Sequence, residues 1–279
     1  MKAVPLLAGL SLLAAFTPAA QPQAPPADSV KLNRLFIKQD AYVLAAFGLA
    51  TVAMFPLDRH LASVVRDEDL IANKSLARLS RDIRFFGGPG PFIIGGSMYA
   101  VGRVFHISRA ADLAVHGTEA VVIGTAVSGA LKIILGRARP YTSLDTNPRN
   151  FGFGRGLRNA DYQSFPSGHA TTAFSAAAAV AAETLEWWPG SRWIFRPILY
   201  GGAAMVGLSR IYDDKHWASD VVMGAAVGTF AGLKVVRFNH THVGNRLDRW
   251  LLGDSKESAH LRLYPGTDGS LGLGLQVAR

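Results

Sequence analysis

Residues 165–185 read FPSGHATTAFSAAAAVAAETL, and this stretch decides the fold class. Ser167 is a typical helix N-cap residue, and the alanine-rich run after it predicts a helix over 168–185. Such small side chains allow neighbouring helices to pack closely against one another. His169 lies at the start of this apolar helix, where burying a polar group costs free energy unless it has partners. We therefore look for chemistry at this end of the helix.

Five further apolar segments predict helices on either side of this one. They cover 41–57, 91–104, 119–135, 194–208 and 217–236, with turn or loop segments between them. Residues 58–84 are amphipathic, with apolar side chains at helical spacing. Together the segments predict an all-α protein, a bundle of about six main helices in one domain.

The two ends of the chain differ from this middle part. Residues 1–20 have the lysine, short apolar run and small residues of a signal peptide, with an uncleaved anchor helix as the alternative. Residues 21–40 predict a flexible segment, 41–238 the helical domain and 239–279 a C-terminal extension. Within the extension, leucines alternate with small or polar residues on both sides of 265–269, which predicts a short β-hairpin.

The composition narrows the class of protein. Hydrophobic residues make up 49% of the 279 residues and charged residues 18%, which favours a large helical core over disorder. The net charge of +9 suits nucleic acid, an anionic membrane or a phosphorylated substrate. No nucleic-acid-binding motif is present, so we expect no nucleic-acid partner. The absence of cysteine excludes disulfides, thiolate metal sites and cysteine catalysis.

The first of three polar clusters contains Lys132, Arg139 and Pro140. The lysine and the arginine lie two turns apart if the third helix continues, so both could face one point. Pro140 would then end the helix, because the residue before a proline resists the α conformation. Taken alone, this cluster is better explained as a cationic helix C-terminus stabilised by the helix dipole.

The second cluster is Pro166, Ser167, Gly168 and His169 at the start of the alanine-rich helix. Free backbone N–H groups there attract an anion, and glycine allows a phosphate to approach closely. His169 is then placed to pass a proton to a leaving group. An ordinary helix cap with an incidental histidine is the alternative.

The third cluster contains Ser209, Arg210, His216 and Asp220. His216 and Asp220 have the i, i+4 spacing that places two side chains on one helix face. A carboxylate on one ring nitrogen leaves the other free as a nucleophile, and the arginine fork suits phosphate oxygens. A surface salt bridge at a helix start is the alternative.

The three clusters together favour phosphoryl transfer. They supply three cations, a helix N-terminus, two histidines and a carboxylate. The cations would hold the phosphate oxygens while His216 attacks in line and His169 protonates the leaving oxygen.

Over residues 41–236, the pattern Lys-x6-Arg-Pro, Pro-Ser-Gly-His and Ser-Arg-x5-His-x3-Asp resembles the signature of the type 2 phosphatidic acid phosphatase and vanadium haloperoxidase superfamily. By that resemblance His216 forms a phosphohistidine, Asp220 orients it, and His169 is the acid and then the base. The resemblance further implies phosphate binding by Lys132, Arg139, Ser167, Gly168 and Arg210. Phosphatases of this family need no metal, so no cofactor is expected, whereas its haloperoxidases hold vanadate in place of phosphate.

The resemblance implies a metal-independent phosphatase acting on a phosphomonoester or pyrophosphate, either lipid-linked or small and soluble. One alternative is a vanadate-dependent haloperoxidase, for which the chain is short. Another is a non-catalytic membrane protein with a vestigial site, although the site residues are all present. A metal hydrolase would use the two histidines and Asp220 as ligands, but three nearby cations would repel the metal.

His240 and His242 form a second pair of histidines with the spacing of metal ligands. No acidic or further histidine partner lies nearby in the sequence. A solvated basic face after the last helix is therefore the favoured interpretation.

The sequence leaves the relation to the membrane open. The resemblance favours membrane helices, but the charge-free runs 41–57 and 221–233 are shorter than the roughly 20 residues of a typical span. We expect an exported, membrane-associated envelope protein whose site faces the periplasm or exterior, with a soluble periplasmic protein as the alternative. Phe151, Phe153 and Tyr162 could line an acyl or prenyl channel, or could pack the 136–165 loop onto the bundle.

Overall fold

The computed structural model describes residues 35–142, 147–242 and 244–253, together with the backbone of two strands at 259–265 and 271–277. The predicted signal peptide, and residues 21–34 of the predicted flexible segment, lie outside these described residues.

The described residues form nine helices and one two-stranded sheet. The helices are α1 Lys38–Val65, α2 Glu68–Ala72, α3 Lys74–Arg84, α4 Gly90–Val104, α5 Ser108–Leu135, α6 Gly168–Trp187, α7 Phe195–Tyr212, α8 Ala218–Thr241 and α9 Arg246–Leu252. Strands β1 Ala259–Pro265 and β2 Leu271–Val277 pair antiparallel. Six of the helices have 15 to 28 residues, so the all-α bundle and its terminal hairpin are confirmed.

Two helices extend well beyond the apolar segments that predicted them. α1 continues past residue 57 to Val65, and α5 begins at Ser108 instead of residue 119. The extra turns contain charged residues that find partners inside the protein. Asp58 on α1, for example, is only 1% exposed and accepts a hydrogen bond from the backbone N–H of Ser219. Charged residues in the sequence therefore did not mark where these two helices begin or end.

The close contact between α6 and α8 forms the centre of the bundle. A Cβ atom added at Gly224 would lie 2.5 Å from the Ser167 carbonyl oxygen, and one at Gly228 would lie 2.4 Å from that of Thr171. The glycines therefore allow the α8 backbone to rest directly on α6. At the first turn the Ser167 N–H donates to the Asp220 carbonyl oxygen at 2.9 Å. The N-termini of the two helices consequently lie side by side.

Three helical segments are long and apolar enough to cross a membrane: Lys38–Val65, Ser108–Thr142 and Ala218–Thr241. On α1, Leu49 and Val52 expose 72% and 67% of their surface, which leaves an apolar face without a protein partner among the described residues. The concern that the apolar runs are too short to span is thus removed by the true helix lengths. These features support association with a membrane.

Candidate active site

The N-terminus of α6 forms one side of the candidate site. Ser167 caps the helix, because its Oγ accepts the N–H of Ala170 at 3.5 Å. A Cβ added at Gly168 would meet only the Cε atom of Lys132, at 3.5 Å. The lysine of the first cluster therefore reaches the helix start of the second cluster, as predicted.

Arg139 reaches the same region by a route that the sequence did not predict. α5 ends at Leu135 because Gly136 adopts a left-handed conformation with φ of 53°. The expectation that Lys132 and Arg139 share one helix up to Pro140 is therefore wrong. Instead, Arg139 lies in the loop and its Nη1 donates to the Lys215 carbonyl oxygen at 3.3 Å, next to His216.

His216 and Asp220 are in contact, although not on one helix face as predicted. His216 precedes the N-cap Trp217 of α8, so it lies outside the helix. The Asp220 carboxylate folds back and accepts the Trp217 N–H at 2.9 Å, which brings its Oδ2 to 3.5 Å from His216 Nδ1. Ser164 Oγ donates to the same Oδ2 at 2.5 Å. The fully buried Asp220 is thus fixed where it can orient the ring of His216.

Arg210 links α7 to His216. Its carbonyl oxygen accepts the N–H groups of Lys215 and His216 at 3.1 and 3.3 Å. Its Nη1 donates to Asp213 at 2.6 Å, while its Nε is buried and has no hydrogen-bond partner among the described residues. A buried guanidinium N–H without a partner is costly, and a phosphate oxygen would satisfy it.

Both histidines are neutral in the ligand-free site. Burial, together with the positive charges of Arg210 and Lys132, lowers the pKa of His169 to about 4. Burial lowers the pKa of His216 to about 3, although the Asp220 carboxylate favours the protonated ring. An anion bound among these cations would cancel part of their positive potential, which disfavours the protonated form of both histidines.

These pKa values predict how stability depends on pH. An unfolded histidine takes up a proton near pH 6.5, whereas folded His169 does so only near pH 4. The unfolded state therefore binds more protons between these values, and stability falls as the pH is lowered through this window. We expect the thermal midpoint of His169→Asn in detergent to fall less steeply from pH 6.5 to 4 than that of wild type. Equal slopes for His169→Asn and wild type would contradict the prediction.

Arg137 is a central residue that the sequence analysis missed. It is fully buried and forms ion pairs with Asp58 at 2.8 Å and with Asp220. Its Nη1 also donates to Ser219 Oγ at 2.7 Å, and its charge lies 4.7 Å from the ring centre of Phe55. The sequence did contain a sign of this residue, namely a second arginine two positions before Arg139. The motif does not include that position, so no role was predicted for it.

The glycine-rich turn at residues 87–89, before α4, also contacts the candidate site. A Cβ added at Gly87 would lie 2.5 Å from Val206 Cγ1 and 2.8 Å from the His169 carbonyl oxygen. The turn therefore packs directly against the first turn of α6.

We expect Gly87→Ala to lower kcat/KM by about 10- to 100-fold, because relief of the clash must displace His169. Gly96→Ala on α4 is the matched control, since a Cβ added there meets no atom within 4 Å. Both variants would be compared by phosphate release and by thermal midpoint. Equal activity of the two variants would show that the turn does not position His169.

The aromatic residues of the 136–165 loop pack onto the protein. Phe151 lies edge-on to Phe165 with ring centres 5.8 Å apart, and Arg155 stacks over Tyr162 at 4.0 Å. Phe153 is 88% exposed. The ring of Phe151 also lies 6.3 Å from that of Phe55 on α1, so the packing interpretation is confirmed for Phe151. The contact of Tyr162 with Arg155 stays within the loop.

The comparisons with known proteins point to one family. Residues 114–243 match the family model described as the PAP2 superfamily. Lipid A 1-phosphatase of Porphyromonas gingivalis is 42% identical over 88 residues, which are 31% of this chain and 19% of that protein. Undecaprenyl-diphosphatase of Sulfolobus acidocaldarius is 28% identical over 137 residues, which are 48% of this chain and 63% of that protein. The chain thus spans less than two thirds of either relative.

A solved structure shares the fold. It is the transmembrane PAP2 type phosphatidylglycerolphosphate phosphatase from Bacillus subtilis, with a TM-score of 0.50 and 18% identity. The match covers 75% of this chain and 100% of that one. At this identity the likeness shows the arrangement of helices alone.

Proposed function

We propose that the protein is a member of the PAP2 superfamily, whose model matches residues 114–243, and a metal-independent phosphatase acting on lipid-linked phosphomonoesters or pyrophosphates. One observation carries the proposal. The buried His216 is held between the Asp220 carboxylate and the backbone of Arg210, beside the cationic N-terminus of α6. A neutral, oriented imidazole in a cationic pocket is suited to attack phosphorus.

The reaction proceeds in two steps. His216 attacks the phosphorus and forms an N–P bond while the bond to the leaving oxygen breaks. His169 takes up a proton when the negatively charged substrate binds beside it, and it donates this proton to the leaving oxygen. A water, deprotonated by His169, then breaks the N–P bond and releases inorganic phosphate. Lys132, Arg139 and Arg210, with the Ser167 hydroxyl and the N–H group of Gly168, hold the phosphate oxygens.

An apolar cavity supports a lipid-linked substrate. It has a volume of about 510 Å³ and lies between α4, α5, α6 and α7, with Phe86, Met98, Ala173 and Val206 among its lining residues. Ala173 is one turn from His169 on α6, and Val206 contacts the turn that packs against His169. The cavity could therefore hold part of an acyl or prenyl chain while its phosphate lies at the cations. The relatives named lipid A 1-phosphatase and undecaprenyl-diphosphatase agree with this class of substrate.

We further propose the cellular arrangement. Residues 1–20 direct export, 21–40 link to the helical domain 41–238, and 239–279 form an extension. The domain is held in the membrane with the site facing the periplasm or exterior. Retention in the membrane fraction after a carbonate wash, with tail-labelled protein, would agree with this arrangement, and release into the soluble periplasm would contradict it.

The activity is tested by release of inorganic phosphate from phosphatidate and from undecaprenyl pyrophosphate in mixed micelles. We expect turnover of at least one of them at full rate in excess EDTA. Bis-p-nitrophenyl phosphate, a diester, is the control that should remain intact. Activity that appears only after a metal is added would refute the metal-free mechanism.

A further inference from the structure

A second group of polar residues lies at the other end of the bundle from the phosphate site. His116 of α5, Glu183 of α6 and His240 of α8 each offer one ligand atom, and these atoms lie within 4.8 Å of one another. With Asp248 of α9 we call them the distal cluster. His116 precedes Lys132 by 16 residues on α5, which is about 24 Å along a helix. The distal cluster is therefore separate from the phosphate site.

We propose that the distal cluster binds one divalent transition metal of the zinc class, with His116, Glu183 and His240 as ligands. The Glu183 carboxylate connects the two rings: one oxygen contacts His116 Nδ1, and the other lies 3.0 Å from His240 Nε2. Two imidazoles and a carboxylate are a ligand set that suits zinc, with a fourth position left for water.

A buried nitrogen without a hydrogen bond supports this assignment. His116 is 6% exposed, and its Nε2 has no hydrogen-bond partner among the described residues. This nitrogen faces Asp248 Oδ1 at 3.5 Å, an oxygen that is also buried and without a partner. A metal on Nδ1 fixes the proton on Nε2 and directs it to Asp248, which is the usual carboxylate–histidine–metal arrangement.

Asp248 is held ready for this role. Asn245 caps α9 and donates through Nδ2 to Asp248 Oδ2 at 2.7 Å, while its Oδ1 accepts the Asp248 N–H at 3.0 Å. The same Asn245 amide also donates to Asn239 on α8. The carboxylate therefore occupies a fixed position, which lowers the cost of ordering a metal ligand's partner.

The local charge also favours a dication. Within the part of the chain that the structure describes, no lysine or arginine forms an ion pair with Glu183 or Asp248. Asp112 and Glu119 lie within one turn of His116 on α5 and add negative charge to the same end of the bundle. The buried Glu183 carboxylate and the largely buried Asp248 carboxylate are unfavourable unless a cation compensates their charge.

The side chain of His240 is partly exposed to solvent and has a partner from a distant part of the chain. This side chain is 41% exposed, so a metal can enter from solvent. His240 is exposed, which agrees with the interpretation of His240 and His242 as a solvated basic face, but it also contacts an acidic partner, Glu183, that lies 57 residues away in the chain. The interpretation holds for His242, which is exposed and stacks on Phe238 with ring centres 4.4 Å apart.

Zinc binding to full-length protein without a histidine tag is the test. After chelation and desalting, we expect one zinc per chain by elemental analysis on readdition and a higher thermal midpoint. His240→Ala should weaken zinc binding at least tenfold, and His242→Ala, the matched control, should bind as wild type. Asp248→Asn should weaken binding by roughly tenfold, the effect expected of a residue that orients a ligand.

Because the side chain of His240 is half exposed, we expect His240→Ala to fold, and matched circular dichroism spectra would verify this. The proposal is overturned if wild type binds no zinc, if His240→Ala binds as tightly as wild type, or if His242→Ala loses as much. A thermal midpoint that follows pH but ignores zinc would instead identify the distal cluster as an ion-pair network of protonated histidines. Phosphate release is measured separately, because the metal lies too far from His216 to take part.

Discussion

His216→Ala is expected to lower kcat/KM for phosphate release by on the order of 10⁴- to 10⁶-fold, the range seen when a covalent nucleophile is removed. The reason is geometric. Asp220 and the Arg210 backbone fix the ring of His216, and no other imidazole contacts the Asp220 carboxylate within the described residues. Removing the ring therefore removes the atom that accepts the phosphoryl group.

A direct measurement accompanies the kinetics. Rapid quenching of wild type with ³²P-labelled substrate should trap a phosphoryl group that is stable to base and labile to acid, as a phosphoramidate bond requires. His216→Ala should show none. His169→Ala should lose less activity, by about 10²- to 10⁴-fold, because it transfers only a proton. Retention of most activity in His216→Ala would refute the nucleophile assignment.

The sequence predicted the location of the candidate site well because motifs and helix ends coincide. Ser167 and Gly168 mark the start of α6, and Asp220 lies in the first turn of α8. The glycines of α8 then bring both starts together, since they allow the two backbones to touch. Spacing along each segment was enough to predict these features.

Pairing across the fold could not be predicted in the same way. Asp58 and Arg137 are 79 residues apart, and His116 and Glu183 are 67 apart. A charged residue in a helix indicates that its own burial would cost free energy. It does not indicate which distant residue compensates that cost. At Gly136 the sequence supported two expectations: the apolar segment predicted a helix end at residue 135, which is observed, while the spacing of Lys132 and Arg139 predicted a helix up to Pro140, which is not.

Arg137→Met is expected to destabilise the protein by roughly 3–5 kcal/mol, the cost of leaving buried charges without their partner. The side chain of Arg137 is fully buried between the carboxylates of Asp58 and Asp220. Methionine fills part of the volume but compensates neither charge. Thermal unfolding in detergent would measure the loss, with the exposed Arg158→Met from the same loop as the control.

The double variant Arg137→Met/Asp58→Asn separates charge from packing. It removes one of the two unpaired carboxylates, so we expect it to regain part of the stability that Arg137→Met loses. Asp220 stays unpaired in both variants, and its carboxylate orients His216, so kcat should remain low even where folding recovers. If Arg137→Met were no less stable than Arg158→Met, the Asp58–Arg137–Asp220 network would not support the site. If stability recovers but kcat does not, Arg137 is the residue through which the core of the bundle holds the nucleophile His216 in position.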